Sequence, residues 1–116
     1  MLQEVSIDST PSAELQHFIK DLRASGFQGE ISTGLSHRIV ASTDNSIWEE
    51  IPEVVISPRS HSSVVHLLKK LDAPAHHSVA ITARGGGTST SGQTLTDSIV
   101  LDCKRHLHSI VEYDEQ

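Results

Sequence analysis

Apolar residues recur at helical spacing in two stretches of the chain and gather in short runs in four others, and this alternation predicts the order of elements. Leu15, Phe18, Ile19 and Leu22 share one helical face. Thr10 and Pro11 before them read as an N-cap and a proline at the first helical position, and Gly26 after them reads as a stop, so a helix is expected from about Pro11 to Ser25. From Gly29 to Pro52 the periodicity is poor, which predicts loop and short turns, with one turn at Asp44, Asn45 and Ser46. Val54, Val55 and Ile56 form a run closed by Pro58, the pattern of a buried strand. Ser60 then caps a helix whose apolar face is Val64, Leu67, Leu68 and Leu71.

Val79 and Ile81 open a second strand, Ile99 to Leu101 give a third, and Ile110 with Val111 opens a fourth. Alternating strands and helices predict an α/β (α+β) layer fold, with Val54 to Ile56, the helix after it and Val79 to Ala83 forming a parallel crossover unit. The fourth strand begins where the sequence stops, as expected of a chain cut inside a fold.

Composition narrows the possible partners. The length of 116 residues and 36% apolar content suit one small unit with a modest core. A formal net charge of −6, nine scattered Lys and Arg residues and few aromatics argue against nucleic acid, which needs clustered cations or stacking platforms. Residues 1–11 lack a basic segment followed by an apolar run, and no stretch approaches the ~20 apolar residues of a membrane span. Cys103 is the single cysteine, so the chain can form neither an internal disulfide nor a thiolate cluster. These features lead to the expectation of a soluble, cytoplasmic protein.

Directly after the second strand, residues 83–94 read Ala, Arg, Gly, Gly, Gly, Thr, Ser, Thr, Ser, Gly, Gln, Thr. Glycine lets a ligand approach the backbone, and successive amides make an anion-binding concavity. Thr88 and Ser89 add hydroxyls and Arg84 a permanent charge, a donor set suited to a diphosphate. A phosphate loop of Walker type fails because no lysine lies between Lys70 and Lys104. The dinucleotide fingerprint built on Gly85 and Gly87 fails because Thr90 stands where its third glycine belongs.

Arg84, Gly85, Gly86, Gly87, Thr88, Ser89, Gly92 and Gln93 resemble the motif of the FAD-linked oxidases of the vanillyl-alcohol oxidase type, with their PCMH-type FAD-binding domain. The upstream stretch Ser42 to Ile47, with Pro58, Arg59 and Ser60, is most similar to bacterial flavoproteins of the D-2-hydroxyglutarate and D-lactate dehydrogenase type. The resemblance, over about residues 38–113, implies the first part of such a domain at 38–116, truncated at its C-terminus, after an N-terminal helical extension at 1–37. It implies that Arg84 to Ser89 lie along the FAD diphosphate, that Gly92 and Gln93 lie towards the flavin, and that Pro58 shapes the cofactor edge. Thr88, where some members carry a flavin-linking histidine, implies non-covalent FAD.

The substrate-binding and iron–sulfur regions of such proteins have no counterpart here, so this chain is expected to lack turnover alone, with a small 2-hydroxy acid as substrate only in a complete enzyme. A non-catalytic or degenerate interaction module is the second reading. His76 and His77 follow Pro74 in an expected surface loop, and His106 and His108 would share a strand face; both pairs read as solvated histidines rather than metal ligands. Lys104 and Arg105 would lower the Cys103 pKa, yet no resolving partner is evident and a packed thiol is the expected role.

Overall fold

The computed structural model describes residues 10–116, so the leader reading of residues 1–9 lies outside the described residues. The first helix, α1 (Ala13–Ala24), begins later than expected, because Ser12 and not Thr10 is its cap. The Leu15 amide donates to Ser12 Oγ at 3.4 Å, and the Ser12 amide and hydroxyl both donate to Glu53 Oε2 at 3.1 Å, which fixes where the helix starts. At its end Gly26, at φ 79°, donates to Arg23 O and Phe27 donates to Leu22 O, closing the last turn as a Schellman motif.

Two elements then occupy the stretch expected to be loop: β1 (Gly29–Ser32) and α2 (Leu35–Val40). Strand β1 exists because β2 (Val54–Pro58) offers it a partner; the two pair antiparallel, with Ile31 opposite Ile56. Helix α2 is tied down by buried Arg38, whose Nε donates to Pro52 O at 2.7 Å. Both depend on residues distant in sequence, which local periodicity does not record.

After β2 come α3 (His61–Leu71), a 3₁₀ turn (Pro74–His76), β3 (Ile81–Arg84) and β4 (Ile99–Asp102). The four strands lie in the order β1-β2-β4-β3, with β4 parallel to both β2 and β3. The crossover from β2 through α3 to β3 is therefore parallel as predicted, with β4 inserted between its two strands. No strand forms at Ile110 and Val111, which are exposed; two residues without a neighbouring strand cannot sustain a ladder. No described helix is long and apolar enough to cross a membrane.

Side chains alternate across the sheet, so Val54, Ile56, Ile99 and Leu101 face one side and Val55 and Val100 the other. The first set packs with Leu15, Phe18, Ile19, Leu22 and Leu67 from α1 and α3. Residues 10–37, expected as an extension, thus contribute α1 to this core and β1 to this sheet. The second set clusters with Ala41, beside α2, and borders open space.

Helix α3 begins at Ser60, as the sequence predicts: Ser60 Oγ accepts from the Ser63 amide at 3.3 Å. Ser60→Ala should lower unfolding free energy by about 1 kcal/mol, the usual value of such a cap. Urea denaturation reads this directly, and an unchanged midpoint would refute the assignment.

Candidate functional site: a glycine-rich loop at the carboxyl ends of parallel strands

The three parallel strands end together, and the glycine-rich loop leaves the sheet at the end of β3. In open α/β sheets this end gathers ligands, because backbone and loops converge there. A cavity of about 560 Å³ opens at this end, over the face bearing Val55 and Val100, within the usual size of small-molecule sites. Arg84, Gly85 and Gly86 form its loop wall, Ser57 and Asp102 its strand ends, and Val40 and Ala41 its opposite side.

Arg84 reaches across this space, donating from Nη1 to Ala41 O and from Nη2 to Val40 O, both at 3.4 Å. Such long bonds leave its charge available to an anion. Gly87 beneath it has φ 70°, and a Cβ there would overlap the guanidinium, so only glycine allows both the turn and the position of Arg84. Gly85 and Gly86 are exposed; a Cβ on Gly85 would meet nothing within 4 Å. Among the described residues, no backbone N–H from Gly85 through Ser89 finds an acceptor. The loop therefore presents consecutive amides, a guanidinium and the exposed Thr88 side chain, a donor set for a polyanion.

What holds the loop open is a second loop. Asp44 Oδ2 accepts from Ser89 Oγ at 2.5 Å and from the Gly92 amide at 3.1 Å, while Oδ1 accepts from the Ser46 amide at 2.7 Å. The Asn45 amide donates to Ser89 O at 2.9 Å and its side chain to Thr88 O at 3.4 Å. Hydrogen bonds from Ser46 first, and then Ser89, pull the Asp44 carboxyl down to about 2. The turn at residues 44–46 was legible in the sequence; its role in pinning residues 88–92 was not, since nothing local to Asp44 points to Ser89 or Gly92.

The remaining sequence candidates divide. Ser89 belongs to the loop, and its hydroxyl donates to Asp44 Oδ2. Gln93 Oε1 accepts from the Ser91 amide and shapes the loop's far end. Pro58 is fully buried at the end of β2, with β4 between it and β3, and does not line the cavity.

Burial first, and the Asp102 carboxylate second, push the Cys103 thiol up, which corrects the expected effect of Lys104 and Arg105. Arg105 turns instead to Glu30, with Nε 2.6 Å from Oε2. His106 and His108 share no strand, and His106 lies 3.7 Å from the same Glu30 oxygen. His76 is buried and not solvated, because the 3₁₀ turn folds it back against Phe18, their rings meeting edge-on at 5.2 Å.

Comparison with known proteins agrees with this geometry. The family described as FAD binding domain matches residues 52–116, more than half of the chain. D-2-hydroxyglutarate dehydrogenase of Pseudomonas putida is 42% identical over 102 residues, 88% of this chain and 10% of that protein. The enzyme of the same name from Escherichia coli is 36% identical over 100 residues, 86% of this chain and again 10% of that protein. The chain thus spans about a tenth of the length of the curated relatives it matches.

Among solved structures, an alkyldihydroxyacetonephosphate synthase superposes with TM-score 0.70 at 20% identity, covering 98% of this chain and 24% of that one. Physcomitrella patens BBE-like 1 superposes with TM-score 0.56 at 21% identity, over 73% of this chain and 18% of that one. These two share the fold. With its parallel strands, its open glycine loop and the matched residues 52–116, this chain belongs to the FAD binding domain family.

Proposed function

We propose that this chain holds FAD non-covalently through the loop from Arg84 to Gln93, as part of a flavin-dependent dehydrogenase of D-2-hydroxy acids. The observation that supports this most is the run of amides from Gly85 to Ser89 without acceptors among the described residues, next to the Arg84 guanidinium. Hydrogen bonds to a charged group contribute roughly 1.5–3 kcal/mol each, so three or four suffice for useful affinity for a diphosphate. Residues 84–94 contain neither histidine nor cysteine, so the loop offers no usual attachment point for the flavin ring.

Bound FAD supplies the acceptor for hydride leaving the hydroxyl-bearing carbon. The part played by these residues is to hold and orient the diphosphate end. The names of the relatives favour D-2-hydroxyglutarate as substrate, with D-lactate the alternative. Turnover is expected only when the rest of such an enzyme is present.

Titrating the chain into FAD and following flavin fluorescence tests the reading. Saturable quenching is expected, reversed by ADP, which carries the diphosphate, and not by riboflavin, which lacks phosphate. No quenching, or displacement by riboflavin alone, would overturn it.

A further inference from the structure

On the side of the sheet that packs against α1 and α3, away from the cavity, two imidazoles and a carboxylate converge. His17 and Asp21 lie one turn apart on α1, and His76 reaches them from the 3₁₀ turn after α3. Their ligand atoms all lie within 4.8 Å of one another. His76 Nε2 is 2.8 Å from Asp21 Oδ2, and His17 Nε2 is 3.6 Å from the same oxygen. A tetrahedral zinc ion about 2.0–2.1 Å from each donor holds its donors about 3.3 Å apart, and these two separations bracket that value.

We propose that His17, Asp21 and His76 form a site for a divalent transition-metal ion, with two imidazoles and one carboxylate as ligands. Imidazole nitrogen with one carboxylate is a donor set suited to zinc and its neighbours rather than to calcium or magnesium. His76 is 2% exposed, and its side chain's only polar contact among the described residues is through Nε2, the atom aimed into the cluster; its Nδ1 is buried without a partner. Phe18 and His17, edge-on at 5.2 and 5.0 Å, fix the plane of its ring. A metal taking Nε2 therefore replaces one hydrogen bond and disturbs no other.

Asp21 Oδ2 lies within reach of both imidazoles, so one carboxylate oxygen serves the whole cluster. The positive charge of Lys70 acts on the same carboxylate and is the competing interaction. His17 and Asp21 reach solvent, which gives an ion its way in and leaves a fourth position for water. The ion would join α1 to the turn between α3 and β3.

The test uses the untagged chain, equilibrium dialysis against Zn2+, and Co2+ as a spectroscopic probe. One equivalent of Zn2+ and the visible bands of tetrahedral Co2+ are expected. His17→Gln, at an exposed position that leaves the fold intact, should lower zinc affinity by more than about tenfold, since losing even an outer partner of a ligand costs ~10–100-fold. His61→Gln, at another exposed histidine, should change nothing. Zinc should also raise the melting temperature of the native chain and not of His17→Gln. Absence of binding by the native chain, or equal zinc affinity in His17→Gln, overturns the site.

Discussion

The Gly86→Val variant should bind FAD at least about a hundredfold more weakly than the native chain, with unchanged far-UV circular dichroism and urea midpoint. A Cβ at Gly86 meets only Thr88 Cγ2, at 3.8 Å, an ordinary contact, and the residue is not in the left-handed region, so the fold tolerates the side chain. The isopropyl group stands instead where a diphosphate would approach the amides. Losing two ionic hydrogen bonds of ~1.5–3 kcal/mol each accounts for a hundredfold or more, at 1.4 kcal/mol per tenfold. Gly87 would be the poorer choice, because its φ of 70° and the overlap with Arg84 would damage the loop as well as the ligand site. Native affinity in Gly86→Val would move the cofactor away from this loop.

A second large effect is expected at Asp44, which does not line the cavity. Asp44→Ala removes the acceptor for Ser89 Oγ and for the Gly92 and Ser46 amides, so residues 88–92 keep only their two bonds from Asn45 to the second loop. A loop that must be ordered on binding binds less tightly, and a fall of about tenfold in FAD affinity is expected. Because hydrogen bonds pull the carboxyl down from 3.8 to about 2, its contribution is complete above about pH 4 and is lost as pH falls through about 2. Trp48, the single tryptophan, borders Gly92: a Cβ there would lie 3.4 Å from its Cδ1, so its fluorescence reports on the anchor. Between pH 4 and 2 the emission of the native chain should shift towards that of Asp44→Asn, whose own emission should stay constant while circular dichroism is unchanged. Identical profiles for the two proteins would show that Asp44 does not anchor the loop.

The elements legible in the sequence are those whose cause is local. Ser60 with Val64, Leu67 and Leu71 specifies α3, and the apolar runs at Val54 and Ile99 specify strands buried on both faces. The glycine loop was legible because its donors are consecutive. What escaped was set by partners far along the chain. Strand β1 has too weak a pattern to stand without β2, α2 is held by Arg38 on Pro52, and the burial of His76 follows from its packing on Phe18 and Asp21. Ile110 and Val111 err in the opposite direction, with strand-forming residues that lack a neighbour. Within the candidate site, the direction of the Ser89 hydroxyl and the distance of Pro58 from the loop are likewise consequences of tertiary packing.

The insertion of β4 between β2 and β3 governs how the molecule assembles. Strands β2 and β3 do not pair, so β3 has no ladder partner until residues 85–98 have closed into a loop and brought β4 into register. Closing that loop costs chain entropy before any pairing is gained, a sequence of events typical of slow, cooperative folding with high contact order. The segment that must close is the one with the acceptorless amides. The array of amides proposed to hold FAD therefore takes shape in one step, when β4 docks between β2 and β3.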